Sequence, residues 1–232
     1  MLYQCPDYGI DGFEPADDSH RNLLYGVDAP ELRVLAEHHT PVNSYFILHD
    51  QAATWGVPGA PQLRAVHLSR DLDARTFEVA MQEFPLFAMA ESWLLDRRCP
   101  PDAIEPPDVH VAADALTRAL ETRVRRDAVR FTMLDSYTDD GVSPQVVVML
   151  RSPGQESGPA FRILWERYDV VSGAHTLREG GFTTIDEARA WWTAWQQGDP
   201  PPLRPPVPAP RRGASSAAPV RPASTGLQGR CR

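Results

Sequence analysis

Lysine is absent from this sequence, and all 23 basic residues of the 232-residue chain are arginine. Without lysine, the chain cannot build a lysine Schiff base with a carbonyl substrate or with pyridoxal phosphate. The same absence excludes the Walker A loop and the protein-kinase lysine, which both place an ammonium group on nucleotide phosphates. As a hypothesis about origin only, we attribute the arginine bias to a high-GC bacterial genome.

Other signatures of catalysis and cofactor binding are missing too. The chain has no G-x-S-x-G, no G-x-G-x-x-G, no H-E-x-x-H and no C-x-x-C pattern. Its three cysteines, Cys5, Cys99 and Cys231, are too few and too far apart for a disulfide framework. Among the seven histidines, His38 and His39 are adjacent and would point apart on a helix. We therefore expect no cofactor and no metal site from local spacing, which leaves open only a site assembled from distant segments.

Long hydrophobic runs are also lacking. The longest apolar stretches, residues 85–90 and 146–150, fall far short of the roughly 20 residues that span a bilayer. The first residues lack the basic start and apolar centre of a signal peptide. These features predict a cytoplasmic protein with no membrane contact.

Charge is distributed unevenly. Residues 1–110 carry a net charge of −11, residues 111–197 carry −2, and residues 198–232 carry +5. Because nucleic-acid binding requires a basic face, the acidic body makes nucleic acid an improbable partner for it. The arginine-bearing, proline-rich segment 198–232 has the composition of a disordered tail, which is suited to reaching a protein partner.

The N-terminal part, residues 1–100, is predicted to be mainly helical with a few strands. Pro30 is suited to the first turn of a short helix over 30–37. A second helix is predicted from Asp71, with Phe77, Ala80, Met81 and Phe84 on one face. The remaining predicted elements are a loop over the first 30 residues, strands over 42–48 and 63–68, and an almost wholly apolar helix over 86–98.

The C-terminal part, residues 109–197, is predicted to be α-β-β-β-β-α, an antiparallel meander with flanking helices. The first helix covers 109–126, and period-two alternation then begins at Val129. Thr184 and Glu187 form the capping box of the closing helix. Residues 101–108 are proline-rich and read as a linker or loop. We find no internal repeat, so the predicted fold is α+β with two unlike parts followed by the tail.

The sequence offers three candidate sites. Glu91 lies among apolar residues, so it is either a normal acid at a helix edge or, if buried, a general acid or base with a raised pKa. Trp191 is either part of the core or an exposed partner- or ligand-binding residue. Arg123, Arg126 and Arg130 belong to a basic run that is either a solvated face or an anion-binding patch. Two further members of that run are predicted to be paired at i,i+4 spacing, Asp114 with Arg118 and Glu121 with Arg125.

One local pattern resembles a known module. Residues 161–195 run strand, hairpin, strand and then helix, with Phe182, Thr184, Glu187 and Ala188 in an F-x-T-x-x-E-A pattern. This resembles the small sheet-plus-helix modules at the N-termini of phage-type integrases, which implies DNA binding through the sheet. The sheet of this chain lacks the basic surface that such modules need.

We prefer the hypothesis of a non-catalytic interaction or accessory protein that meets a protein partner through an exposed patch or the tail. A carboxylate-dependent hydrolase using Glu91 is the first alternative. A nucleic-acid-binding module on the 109–197 meander is the second.

Overall fold

The computed structural model describes residues 6–108, 110–154 and 158–205. Within them the chain forms two five-stranded sheets and five α-helices. The helices are α1 (Asp18–Val27), the short α2 (Ala53–Gly56), α3 (Phe87–Asp96), α4 (Ala115–Asp127) and α5 (Ile185–Gln196). The strands are β1 (Glu14–Pro15), β2 (Leu32–His39), β3 (Asn43–Asp50), β4 (Leu63–Asp71), β5 (Thr76–Phe84), β6 (Val111–Ala112), β7 (Thr132–Asp139), β8 (Gln145–Arg151), β9 (Phe161–Asp169) and β10 (Ala174–Phe182).

The two sheets have the same topology. Sheet 1 has the order β1-β5-β4-β3-β2, and sheet 2 has the order β6-β10-β9-β8-β7. In each sheet four strands form an antiparallel meander, and a two-residue strand joins the last of them in parallel. Each short strand leads into a helix, and a further helix follows each meander.

The chain is therefore a tandem structural repeat, which our reading of the sequence did not find. The first repeat covers residues 13–98 and the second residues 110–198. Asp17 and Asp114 cap the first helix of their repeats, each two residues after the short strand. The first meander strand of each repeat also carries a register shift, after Val34 in β2 and after Met133 in β7.

Helices and sheets stack in layers. Helix α1 packs on one face of sheet 1, helices α3 and α4 lie between the sheets, and α5 covers the far face of sheet 2. The central core contains residues of both repeats, for example Ile47 and Phe84 from the first and Val148 and Leu177 from the second. The two repeats thus share one hydrophobic core.

The prediction of a helical N-terminal part is wrong, because that part is mostly strand. Most of the segment predicted as a helix over 30–37 lies in β2, and the segment from Asp71 is a β4–β5 hairpin. The Asp71 carboxylate accepts hydrogen bonds from the amides of Asp73 and Ala74, so it closes a turn with the chemistry of a helix cap. Phe77 and Val79 are buried while Glu78 is exposed, which is strand alternation.

The chain after α5 continues along sheet 2. The Trp191 indole donates a hydrogen bond to the Pro201 carbonyl at 2.7 Å, and the Gly181 amide donates to the Arg204 carbonyl at 3.0 Å. Leu203 packs against Gly180, where an added Cβ would meet its side chain at 2.5 Å. The rest of the predicted tail, from residue 206, lies outside the described residues.

No helix in the described part of the chain is both long enough and apolar enough to cross a bilayer.

Candidate metal centre

Four side chains from distant segments meet beneath α4 in the second repeat. His110 precedes β6, Glu121 lies on α4, Glu166 on β9 and His175 on β10. Parallel pairing of His175 with Ala112 places the start of β10 next to the segment that carries His110. Because side chains alternate along a strand, Glu166 and His175 point to the same face as Leu164 and Leu177, under α4. We call these four residues the polar quartet.

The polar quartet is compact. His175 Nε2 donates a hydrogen bond to Glu121 Oε1 at 2.6 Å, and His110 Nε2 lies 3.4 Å from the same oxygen. His175 Nε2 is also 3.8 Å from Glu166 Oε1. The two imidazole rings stack with centroids 4.0 Å apart. One ligand atom from each residue lies within 4.8 Å of the other three.

The surroundings fix the histidine orientations. The Tyr168 hydroxyl hydrogen-bonds His110 Nδ1 at 3.0 Å, which leaves Nε2 directed at the centre of the quartet. His175 Nδ1 is buried near the Val111 backbone, outside regular hydrogen-bond geometry. Phe87 of α3 covers His110, with ring centroids 5.4 Å apart. A hydrogen bond to the far ring nitrogen is the usual way in which proteins hold a ligating histidine.

Burial and charge act in opposite directions on these groups. Burial raises the pKa of Glu166, which is 3% exposed, above its ordinary value. For Glu121 burial also acts to raise the pKa, but hydrogen bonds from His110 and His175 lower it to about 2. Burial acts to lower the pKa of His175, whereas the hydrogen bond to Glu121 and the charge of Glu166 raise it overall. An ionised carboxylate is therefore held between two imidazoles inside the protein.

The first repeat shows what the same positions hold when no polar site is present. Counting from the helix caps, His110 corresponds to Phe13 and Glu121 to Leu24. Counting from the strand pairings, Glu166 corresponds to Leu68 and His175 to Phe77. All four first-repeat residues, Phe13, Leu24, Leu68 and Phe77, belong to the core beneath α1. We call them the apolar quartet.

The polar quartet is chemically suited to a metal ion. Two imidazoles and two carboxylates match the nitrogen and oxygen ligands of Zn²⁺ and similar divalent transition ions. Tetrahedral zinc with bonds of about 2.0–2.1 Å places its ligand atoms about 3.3 Å apart. To reach that spacing, the 2.6 Å contact between His175 and Glu121 lengthens and the longer spacings, up to 4.8 Å, shorten.

The candidate Glu91 is buried on α3 and faces α4. Its Oε1 lies 3.4 Å from Arg125 Nε and accepts no hydrogen bond of regular geometry among the described residues. Burial raises the pKa of Glu91 to about 7, against the lowering effect of Arg125. Arg125 thus pairs with Glu91, and the predicted Glu121–Arg125 pair is replaced by the histidine contacts of Glu121.

The candidate Trp191 is 4% exposed and packs edge-on to Trp165, with centroids 5.7 Å apart. With its indole nitrogen bound to Pro201, the side chain belongs to the core under α5.

The candidate arginines are divided among different surroundings. Arg123 pairs with the buried Glu179, which Arg162 also contacts, and Arg126 pairs with the adjacent Asp127. Arg130 is exposed at the end of the turn after α4. Asp114 caps α4 and pairs with Arg178 of β10, in place of the predicted partner Arg118.

Sequence reasoning did not connect the members of the polar quartet, because they lie on four separate segments. The one available signal was the internal repeat. An alignment of the two repeats on Asp17 and Asp114 would have shown polar residues at positions that are apolar in the other copy.

No family model matches the chain, and no curated protein and no solved structure matches it either. The interpretation of the polar quartet therefore depends on its geometry and on the comparison between the two repeats.

Proposed function

We propose that this chain is a non-catalytic accessory protein whose second repeat binds one divalent transition-metal ion, preferably Zn²⁺, at the polar quartet. The observation that carries the proposal is the replacement of the apolar quartet by two histidines and two glutamates in an otherwise equivalent repeat. Because the first repeat has this architecture without those groups, the fold itself does not require them.

Burying a cluster of polar and charged side chains costs free energy that apolar side chains at the same positions do not cost. Taking ionised groups out of water costs several kcal/mol for each ion, and an ion pair recovers this only with excellent geometry. Hydrophobic residues at the same positions carry no such cost, as in the first repeat. Metal binding supplies the missing favourable term, since it replaces the lost hydration of both carboxylates and both imidazoles.

The quartet supports a non-catalytic role. Four protein ligands complete a tetrahedral zinc sphere, whereas catalytic zinc sites keep one position for water or substrate. The side chains of Glu166 and His175 are 4% and 0% exposed, so the centre is closed to a substrate of ordinary size. The ion would join α4 to β9, β10 and the segment before β6, and so would hold the second repeat together.

The role as an accessory protein in the cytoplasm, with a protein as partner, remains part of this proposal. It is supported by the closed site and by the absence of the catalytic signatures named above. The pairing of Arg123 and Arg126 with acids does not favour a nucleic-acid role. The hydrolase and nucleic-acid hypotheses stay predictions.

Metal content and calorimetry test the proposal. Full-length protein, stripped with EDTA and dialysed against a chelator-free buffer, is titrated with Zn²⁺ and separately with Mg²⁺. We expect one Zn²⁺ per chain and no saturable Mg²⁺ binding, because Mg²⁺ prefers an octahedral oxygen sphere. A variant with the residues of the first repeat, His110→Phe, Glu121→Leu, Glu166→Leu and His175→Phe, should bind no Zn²⁺.

The control removes an exposed pair of the same chemistry. His39 Nε2 lies 3.4 Å from Glu37 Oε2 on the surface of the first repeat, and the double change Glu37→Gln with His39→Gln leaves the quartet intact. This control should bind Zn²⁺ like the wild type. Zinc binding that persists in the quartet variant, or that disappears in the control, would overturn the assignment of the site.

A further inference from the structure

Arg98 adopts a backbone conformation that side chains rarely accept. Its φ is 67°, and the residue follows Arg97, the C-cap of α3. At the corresponding place after α5 the second repeat has Gly198, with a φ of 83°. Glycine is the residue favoured at this left-handed position, because a Cβ there is strained. The first repeat therefore keeps an arginine at a cost that its own counterpart avoids.

Backbone strain of this kind can mark a functional side chain. The first repeat also has Arg75 where the second has Gly173, so the assignment rests on the cleft that Arg98 lines and not on the strain alone. Arg98 lines a cleft of about 420 Å³ between the end of α3, the β2–β3 turn and β4. Among the described residues, Arg98 forms no ion pair, whereas Arg97 lies within 4.0 Å of Asp96. The Asp96 carboxylate is 56% exposed, so water screens much of its charge from the cleft.

The other walls of the cleft are fixed and carry hydrogen-bond donors. The Arg97 guanidinium carbon lies 3.5 Å from the centroid of the Trp93 ring, and the guanidinium donates to the Trp93 carbonyl at 3.3 Å. His67 Nε2 is 2.9 Å from Asn43 Oδ1, which occupies the amide oxygen of Asn43 and leaves its NH₂ group as the available donor. Tyr45 stacks on His67 with centroids 4.7 Å apart and planes 9° apart.

We infer that this cleft binds a phosphate group, as inorganic phosphate or as a phosphomonoester, with Arg98 as the principal contact. Two adjacent guanidinium groups and an amide NH₂ provide several donors for one tetrahedral oxyanion. Residues 1–110 have a net charge of −11, which repels an anion, so the two guanidinium groups have to outweigh this repulsion locally. The inference does not depend on the metal centre in the second repeat.

The matched control is Arg75. Among the described residues, Arg75 and Arg98 are the two non-glycine residues with a positive φ, which is 57° at Arg75. It lies in the β4–β5 turn, away from the cleft, and its guanidinium stacks on Phe13. Arg98→Gly and Arg75→Gly remove the same charge at the same kind of backbone position. Both replacements suit the left-handed conformation, so both variants are expected to fold.

The experiment is calorimetric titration of the full chain with inorganic phosphate and with phenyl phosphate, at constant ionic strength. EDTA is present, so that no bound metal can capture the anion, and sodium chloride serves as the reference anion. We expect one saturable phosphate site in the wild type and in Arg75→Gly. In Arg98→Gly the affinity for phosphate should be weaker by at least about tenfold. Tighter binding of phenyl phosphate than of inorganic phosphate would assign the ester, and the opposite order would assign the free ion.

Circular dichroism confirms that each variant is folded, and Arg98→Asn is the second variant, since asparagine also tolerates the left-handed conformation. The inference is overturned if phosphate binds no better than chloride at equal ionic strength. It is also overturned if Arg98→Gly and Arg98→Asn bind phosphate like the wild type, or if Arg75→Gly loses as much affinity as they do.

Discussion

Replacing one member of the polar quartet and replacing all four should have opposite effects on stability. Glu121 is the acid that both imidazoles approach, at 2.6 Å from His175 and 3.4 Å from His110. In the metal-free protein, Glu121→Leu introduces the residue of the first repeat but leaves the buried His175 and the partly buried His110 without this carboxylate. Removing one partner of a buried charged pair costs about 3 kcal/mol or more, so we expect a loss of that size.

The fourfold variant removes every polar group of the quartet at once and restores the apolar set of the first repeat. Each new side chain is larger than the one that it replaces, but each is the residue that the first repeat packs at the equivalent position. Exchange of a whole buried ionic cluster for well-packed apolar residues is commonly neutral or stabilising by about 1–4 kcal/mol. We therefore expect the metal-free fourfold variant to be at least as stable as the metal-free wild type.

Urea denaturation followed by tryptophan fluorescence, with EDTA and then with excess Zn²⁺, measures both effects. A ligand at about 100 times its Kd stabilises the folded state by about 2.7 kcal/mol. Excess Zn²⁺ should therefore raise the free energy of unfolding of the wild type by that amount and leave that of the fourfold variant unchanged. If the fourfold variant loses at least as much stability as Glu121→Leu, the quartet is an integral part of the core. In that case the argument from the first repeat is refuted.

Three further predictions concern other parts of the molecule. The folded-state pKa of Glu91, about 7, lies above its ordinary value of 4.5, so the folded state binds the proton more tightly and stability falls as pH rises between these values. Glu91→Gln should remove up to about 3 kcal/mol of this loss, seen as a flatter dependence of urea stability on pH between 4 and 8 in EDTA. Leu203→Ala should cost about 1 kcal/mol in urea stability, because its half-buried side chain packs on Gly180. An unchanged midpoint would show that this segment does not contribute to the fold. Arg98→Gly should raise stability by about 1 kcal/mol through relief of the left-handed strain, and a lower melting temperature would contradict that strain.

Several elements of the second half could be predicted from the sequence because their signals agree. The predicted antiparallel meander with a helix over 109–126 is wrong in one respect, because β6 lies within that segment and pairs with β10 in parallel, which makes the sheet mixed and five-stranded. Alternation in β9, the turn before β10 and the Thr184–Glu187 capping box all indicate the same elements, and the structure has them. In the first half, two signals were ambiguous. The apolar residues from Phe77 to Phe84 fit helical spacing as well as strand spacing, and Asp71 can cap a helix or close a turn. Only pairing with β4 decides between them, and that pairing is a tertiary contact.

The candidate site was harder to predict from the sequence than the fold, for a physical reason. A buried polar site assembled by sheet pairing has no fixed spacing along the chain, so its residues look like ordinary surface positions. The i,i+4 spacing of Glu121 and Arg125 predicts an ion pair between them, since pairs at this spacing stabilise exposed helices. In the structure each of the two has a different partner, and both partners come from other elements.

The repeat changes what a polar substitution in the core means. In a protein with a single copy of a fold, a buried histidine–glutamate cluster can be explained by the requirements of that fold. Here the same chain carries a second copy, in which Phe13 and Phe77 fill the positions of His110 and His175. The same comparison shows an arginine, Arg98, after α3 at the left-handed position that Gly198 occupies after α5. Each copy is thus the reference for the other, and both proposed sites lie where one copy accepts a free-energy cost that the other avoids.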